Sequence, residues 1–265
     1  MKIRFENVSK SYGPKCIFDD LSIEIGAGER CVLLGGSGTG KSQMLKHIVG
    51  LVAPDKGKIY IDDEDITKYS EKKLEQLRKR VGYIFQNGGI LESLTVSENI
   101  ALPLQELTNM GNQDISKKVA EVLKTVELEG LGDQMPATIS GGQRKRVAIA
   151  RALTQDVDCF LFDEPTAGLD PMTSSTVDDV ILQVNDELKA TVLVVTHDLI
   201  SMAEVGNRVL FLHEHKIAFD GSVKEFYANN SPAIQEFLSR DQRCLEPPTI
   251  SREFNPLYQH HHDVN

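Results

Sequence analysis

"GGSGTGKS", residues 35–42, decides the fold class of this chain. It follows the apolar run "CVLLG" and leads into "QMLKHIVGL", so the glycines separate a buried strand from a helix. In that context the pattern G-x-x-x-x-G-K-[ST] is a phosphate cradle. Its glycines let backbone N–H groups crowd an anion, and the helix N-terminus adds partial positive charge. Lys41 is placed to reach β- and γ-phosphates, and the Ser42 hydroxyl to ligate Mg²⁺.

Working outward, "VGYIF", "CFLFD" and "TVLVVTH" are short, near-continuous apolar runs with helical segments between them. Strands covered on both faces look like this, which predicts an α/β core on a parallel sheet. Ahead of the cradle, "IRFENV" and "IFDDLSIEI" alternate apolar and polar residues before the turn at Gly26 and Gly28, the pattern of an N-terminal antiparallel β subdomain. From about 87 to 156 no strand-like run occurs. "DISKKVAEVLKTVEL" there puts Ile115, Val119, Val122, Leu123 and Val126 on one stripe, and the interval is expected to be an inserted α-helical subdomain. Residues 1–240 are then one domain, and 241–265, with paired prolines and no periodicity, a tail without regular structure, expected to be an interaction segment because Leu245, Ile250, Phe254, Leu257 and Tyr258 are more apolar than a solvating tail needs. Three histidines in that tail, His260, His261 and His262, have the chemistry to bind a metal, though such runs in polar tails are commonly disordered.

A formal net charge of −10 argues against nucleic acid as a partner. The four cysteines form no CxxC pair, and Cys31 and Cys159 lie in strand-like runs as small hydrophobes, which suits a reducing cytosol. No stretch reaches the roughly 18 uncharged apolar residues of a membrane span, and the N-terminus has no signal-peptide core, so a membrane role is expected to come through partners.

Two further stretches carry chemistry. "CFLFDE", 159–164, ends a buried strand with two carboxylates, an expensive arrangement unless a cation sits there. Asp163 suits Mg²⁺ through a water, and Glu164 suits a general base that orients the attacking water. "SGGQRKRVAIARA", 140–152, alternates basic and small apolar residues as an exposed helix would, behind a start shaped for an anion but without lysine or metal ligand of its own. Such a start binds free phosphate poorly and could close the open side of an ATP held elsewhere. An ordinary cap accounts for Ser140 but leaves the paired glycines unexplained.

Tyr12, the cradle, Gln86 in "YIFQ", "SGGQ" at 140–143, Asp163 and Glu164, "AGLD" at 167–170 and His197 in "VVTHD" stand in the order and spacing of ABC-transporter ATPases, which the chain resembles over about residues 1–240. The resemblance implies a P-loop NTPase (RecA-like) core with ATP and Mg²⁺ as cofactors. It implies that Tyr12 stacks on adenine and that Gly35, Gly36, Ser37, Gly38, Thr39, Gly40, Lys41, Ser42 and Gln43 hold the phosphates. Ser42, Gln86 and Asp163 then form the metal side, with Gln86 also sensing the partner. Glu164, His197 and Lys41 carry catalysis, His197 holding the γ-phosphate and the water. Two chains are expected to sandwich two nucleotides head to tail, with Ser140, Gly141, Gly142 and Gln143 of one facing the ATP of the other and Asp170 crossing the same interface.

The implied assembly is a homodimer on integral membrane permease subunits at the cytoplasmic face of the inner membrane. "FQNGGILESLTVSENIALPL", 85–104, resembles the ATPases of Mla/MCE phospholipid-transport systems, as do "RKRVAIARAL" and "NNSPAIQEFL", which adds an MCE-domain protein as a possible partner. Gly89 and Leu91 stand where that group has alanine and phenylalanine, and Gln143 where many members have methionine. An importer of amino acids or metals remains the nearer alternative. A soluble mechanical ATPase on nucleic acid or ribosomes is the farther one, since only about 120 residues without sustained heptads separate the cradle from the carboxylates.

Overall fold

The computed structural model describes residues 1–239, so the tail at 241–265, with its histidines and Cys244, lies outside the described residues. The described chain runs β1 (Ile3–Tyr12), β2 (Lys15–Ile25), β3 (Arg30–Leu34), α1 (Lys41–Ile48), β4 (Lys56–Ile61), β5 (Glu64–Asp65), α2 (Glu71–Lys79), β6 (Val81–Ile84), α3 (Val96–Leu107), α4 (Asn112–Thr125) and α5 (Gly141–Leu153). It continues with β7 (Cys159–Asp163), α6 (Pro171–Leu188), β8 (Thr191–Thr196), α7 (Leu199–Val205), β9 (Arg208–His213), β10 (Lys216–Gly221), α8 (Val223–Tyr227) and α9 (Pro232–Ser239).

A six-stranded sheet in the order β10-β9-β3-β8-β7-β6 carries the molecule. It is parallel from β9 to β6, with β10 antiparallel at its edge. The apolar runs are continuous because both faces are covered, and the two-residue period of a strand sorts them. Cys31, Leu33, Leu161, Leu193 and Val195 enter the core shared with the antiparallel layer. Val32, Leu34, Phe160, Phe162 and Val194 enter the core shared with α3 to α9. Cys31 and Cys159 are fully buried, and burial pushes both thiols up, Cys159 to about 12, so they behave as small hydrophobes.

The second sheet, in the order β2-β1-β4-β5, is the antiparallel N-terminal layer that the alternation predicts. It also takes in strands after α1: β1 would present an open edge opposite β2, and β4 pairs along it from Ile3↔Ile61 to Ser9↔Lys56.

Between β6 and β7 the described residues are helical or irregular. A Thr95/Glu98 capping box starts α3, and the α4 stripe of Ile115, Val119, Val122 and Leu123, continued by Val126, is buried. The "SGGQ" helix departs from its expected character. α5 is not an exposed helix: Val147, Ala148, Ile149, Ala150 and Ala152 are buried, and so is Lys145. Its small residues let it lie close to β6, where a Cβ on Gly82 would come within 3.0 Å of the Ala152 methyl. Among the described residues no helix is long and apolar enough to cross a membrane.

Candidate functional site

The C-terminal ends of β3, β6, β7 and β8 converge, the usual place for ligands in an open α/β sheet. After β3 the chain enters the glycine loop and then α1, whose N-cap is Gly40 at φ 111 with no capping side chain. A Cβ there would sit 2.7 Å from Ile17 Cγ2. Both the backbone conformation and the contact demand glycine, and the first N–H groups of α1 keep no side-chain partner.

Lys41, only 7% exposed, donates to the carbonyls of Gly35 at 2.8 Å and Gly36 at 3.2 Å and lies 3.7 Å from Glu164 Oε1. Burial lowers its pKa, while the Glu164 and Asp163 carboxylates pull it back up. Thr39 Oγ1 also donates to Gly36 O, at 2.9 Å. Ser42 Oγ donates to Asp163 Oδ1 at 2.7 Å, so a hydroxyl and a carboxylate of the kind that hold Mg²⁺ already meet. The Tyr83 hydroxyl reaches the other carboxylate oxygen at 3.4 Å. One residue on, Glu164 takes φ 52, uncommon outside glycine, and its Oε2 lies 2.8 Å from His197 Nδ1 at the end of β8.

A cleft of about 450 Å³ opens above these groups. Tyr12, Ser37, Gly38, Gly40, Lys41, Ser42, Gln43, Gln86, Glu164 and His197 line it, with Lys15 and Ile17 from β2. Tyr12 is half exposed at the mouth, its hydroxyl donating to Gln43 Oε1 at 3.0 Å. Asp163, Gly35, Gly36 and Thr39 do not line the cleft; they shape it through Ser42, Lys41 and the loop carbonyls.

Ser140, Gly141, Gly142, Gln143 and Asp170 are not brought into this cleft. Ser140 caps α5 in a capping box, its Oγ accepting from the Gln143 N–H at 3.2 Å while its own N–H donates to Gln143 Oε1 at 2.8 Å. Asp170 caps α6, accepting from the Thr173 N–H at 3.1 Å and the Thr173 hydroxyl at 2.5 Å. Of the paired glycines, left unexplained by a cap, Gly142 has an intrachain cause, whereas a Cβ on Gly141 would make only ordinary contact. A Cβ on Gly142 would lie 2.0 Å from Thr173 Cγ2, and one on Gly141 3.4 Å from Leu169 Cδ2. α5 and the start of α6 approach too closely for a side chain at 142.

Three residues escaped the sequence reading. Lys15 and Ile17 enter the cleft because β2 folds back over the glycine loop, which nothing local to β2 announces. Lys145 is flanked by arginines and looks like part of a solvated face, yet its ammonium is buried against the carbonyls of Gln86 and Glu164.

The chain is also similar to known proteins. A family model described as "ABC transporter" matches residues 18–167. The "Probable ribonucleotide transport ATP-binding protein mkl" of Mycobacterium leprae is 38% identical over 252 residues, covering 95% of this chain and 72% of that protein. The "Intermembrane phospholipid transport system ATP-binding protein MlaF" of Escherichia coli K12 is 35% identical over 236 residues, covering 89% and 88%. Among solved structures, the dimeric post-hydrolysis state of the ATP-binding cassette MJ0796 bound to ADP and Pi superposes with a TM-score of 0.76 at 33% identity, covering 83% of this chain and 98% of that one.

Proposed function

The chain belongs to the ATP-hydrolysing, ATP-binding subunits of ABC transporters, and we propose that it works as a head-to-tail homodimer beneath integral membrane permease subunits, at the cytoplasmic face of the membrane. Residues 1–240 act as one ATP-binding unit with 87–156 as its helical insert. A single observation carries the dimer: the cleft is lined by the cradle side only, while Ser140 to Gln143 and Asp170 of the same chain stand outside it. A second copy facing the first would supply them, and the MJ0796 cassette is itself dimeric.

Within each site Lys41 neutralises phosphate charge, in competition with its present bonds to Gly35 and Gly36. Ser42 and Asp163 would hold Mg²⁺, with Gln86 at the cleft edge, and the bound ion would offset charge on the β- and γ-phosphates. Glu164 accepts the proton of the attacking water, and the His197 ring fixes one of its oxygens. Tyr12 offers its face to adenine.

Mixed dimers test the shared site. Chains carrying Lys41→Ala and chains carrying Ser140→Arg, both with Glu164→Gln to trap ATP, each form homodimers with two damaged sites. A mixed dimer gathers both lesions in one site if sites are shared, so it should trap one ATP. Trapping no better than in the parent homodimers would rule the arrangement out.

Phospholipid is the cargo this reading favours, supported by the 85–104 segment and by the MlaF relative. The Mkl relative, named for ribonucleotide transport, supports a second cargo. Hydrolysis by the complex with its permease should rise with phospholipid and not with ribonucleotide; the reverse response would favour the second reading.

A further inference from the structure

Lys145 lies in the second turn of α5, with 6% of its surface exposed. Its ammonium donates to the Glu164 carbonyl at 3.1 Å and to the Gln86 carbonyl, joining the loops that leave β7 and β6. The Glu164 carbonyl has one further partner, the Ala167 N–H at 3.3 Å. A buried lysine is costly, and burial lowers its pKa here against the pull of the Glu164 and Asp163 carboxylates. A core position needs no such group. The ammonium meets the backbone of Glu164, whose φ of 52 is disfavoured for any residue with a Cβ and persists only where its surroundings hold it; the Glu164 N–H is held by the Val195 carbonyl at 2.8 Å, and the Glu164 carbonyl by Lys145.

We propose that Lys145 is a positioning residue for hydrolysis: it holds Glu164 in the left-handed turn that sets its carboxylate between Lys41 and His197, and it locks that turn to the Gln86 loop. The inference rests on Glu164 acting as the base. Arg151, farther along α5, is the natural contrast. It donates to the carbonyls of Gly89 at 2.8 Å and Gly88 at 3.4 Å, so it holds the loop after Gln86 but not Glu164. The same helix starts at Ser140, so its first turn and the backbone of the base belong to one rigid piece.

The experiment measures kcat and ATP affinity separately in Lys145→Met, Lys145→Gln, Arg151→Met, Glu164→Gln and the double variant Glu164→Gln/Lys145→Met. Misplacing a base by an ångström costs up to about 100-fold, so Lys145→Met should lose about 10- to 100-fold in kcat with ATP affinity within about 3-fold. Lys145→Gln, which can still donate to one carbonyl, should fall between it and the parent, and it serves for the same comparison if Lys145→Met does not fold. Arg151→Met should lose clearly less. In the Glu164→Gln background, Lys145→Met should add less than about 3-fold, because groups acting as one unit are not additive. Unchanged kcat in Lys145→Met, an equal loss in Arg151→Met, or losses that multiply in the double variant would each overturn the inference. Near-normal turnover in Glu164→Gln alone would instead remove the base on which it rests, a separate result.

Discussion

α1 and α5 both start at glycine-rich turns, and they start differently. α1 has Gly40 as an N-cap without a capping side chain, and Lys41 directly behind it. α5 has Ser140 and Gln143 closed on each other, and its lysine sits a turn inside, pointing at its own chain's carbonyls. Four N–H groups at any helix start lack intrahelical partners. In α1 no side chain competes for them; in α5 one is already committed to Ser140. Glycine has separate meanings in the two as well. Gly40 meets a backbone demand at φ 111 in addition to the Ile17 contact, while Gly142 meets a spatial demand alone, the Thr173 methyl. Two similar strings therefore yield one helix start left open to an anion and one already closed by its own cap, the difference on which the proposed shared site rests.

Single-chain nucleotide binding gives the largest effect by which this contrast can be broken. A hydrogen bond to a charged group contributes about 1.5–3 kcal/mol, so Lys41→Ala should weaken ATP binding by dilute monomer about 10- to 100-fold, while Ser140→Ala should change it less than about twofold. Calorimetric titration showing equal losses would end the distinction. Next in size is the glycine test. Gly142→Ala should cost about 1–3 kcal/mol in denaturant unfolding, the usual cost of overpacking. Thr173→Ser should recover most of it by removing Cγ2 while keeping the hydroxyl on Asp170. Gly40→Ala should find no such single-site rescue, because its φ stays wrong whatever Ile17 becomes. The smallest effect belongs to the cap itself: Ser140→Ala should lower unfolding stability by about 1 kcal/mol, against no measurable change if the capping box contributes nothing.

Much of this contrast was open to sequence reasoning, and the remainder was closed to it for a physical reason. The cradle is legible because phosphate binding by backbone needs glycine, lysine and hydroxyl at short fixed spacing. The central strands are legible because two covered faces demand unbroken apolar runs, as in "CVLLG" and "TVLVVTH". Lys145 is hidden because burial of a lysine depends on two carbonyls supplied by Gln86 and Glu164, distant along the chain. Gly142 is hidden in the same way, its cause being a methyl on another helix. The antiparallel layer was half visible: β1 and β2 alternate plainly, whereas nothing in "KGKIYI" says that β4 turns back to pair with β1.

The register of β3 also has a consequence for how the molecule comes into being. Val32, just before the cradle, pairs with Val194 of β8 on one side and Val209 of β9 on the other. A ribosome that has released the glycine loop has yet to make either neighbour. Contacts so far apart in sequence close slowly, and β3 has neither sheet neighbour until β8 and β9 have been made. The cleft includes His197, directly after β8, so it too is complete only once β8 has been made. ATP bound in the completed cleft would then stabilise the folded subunit by mass action.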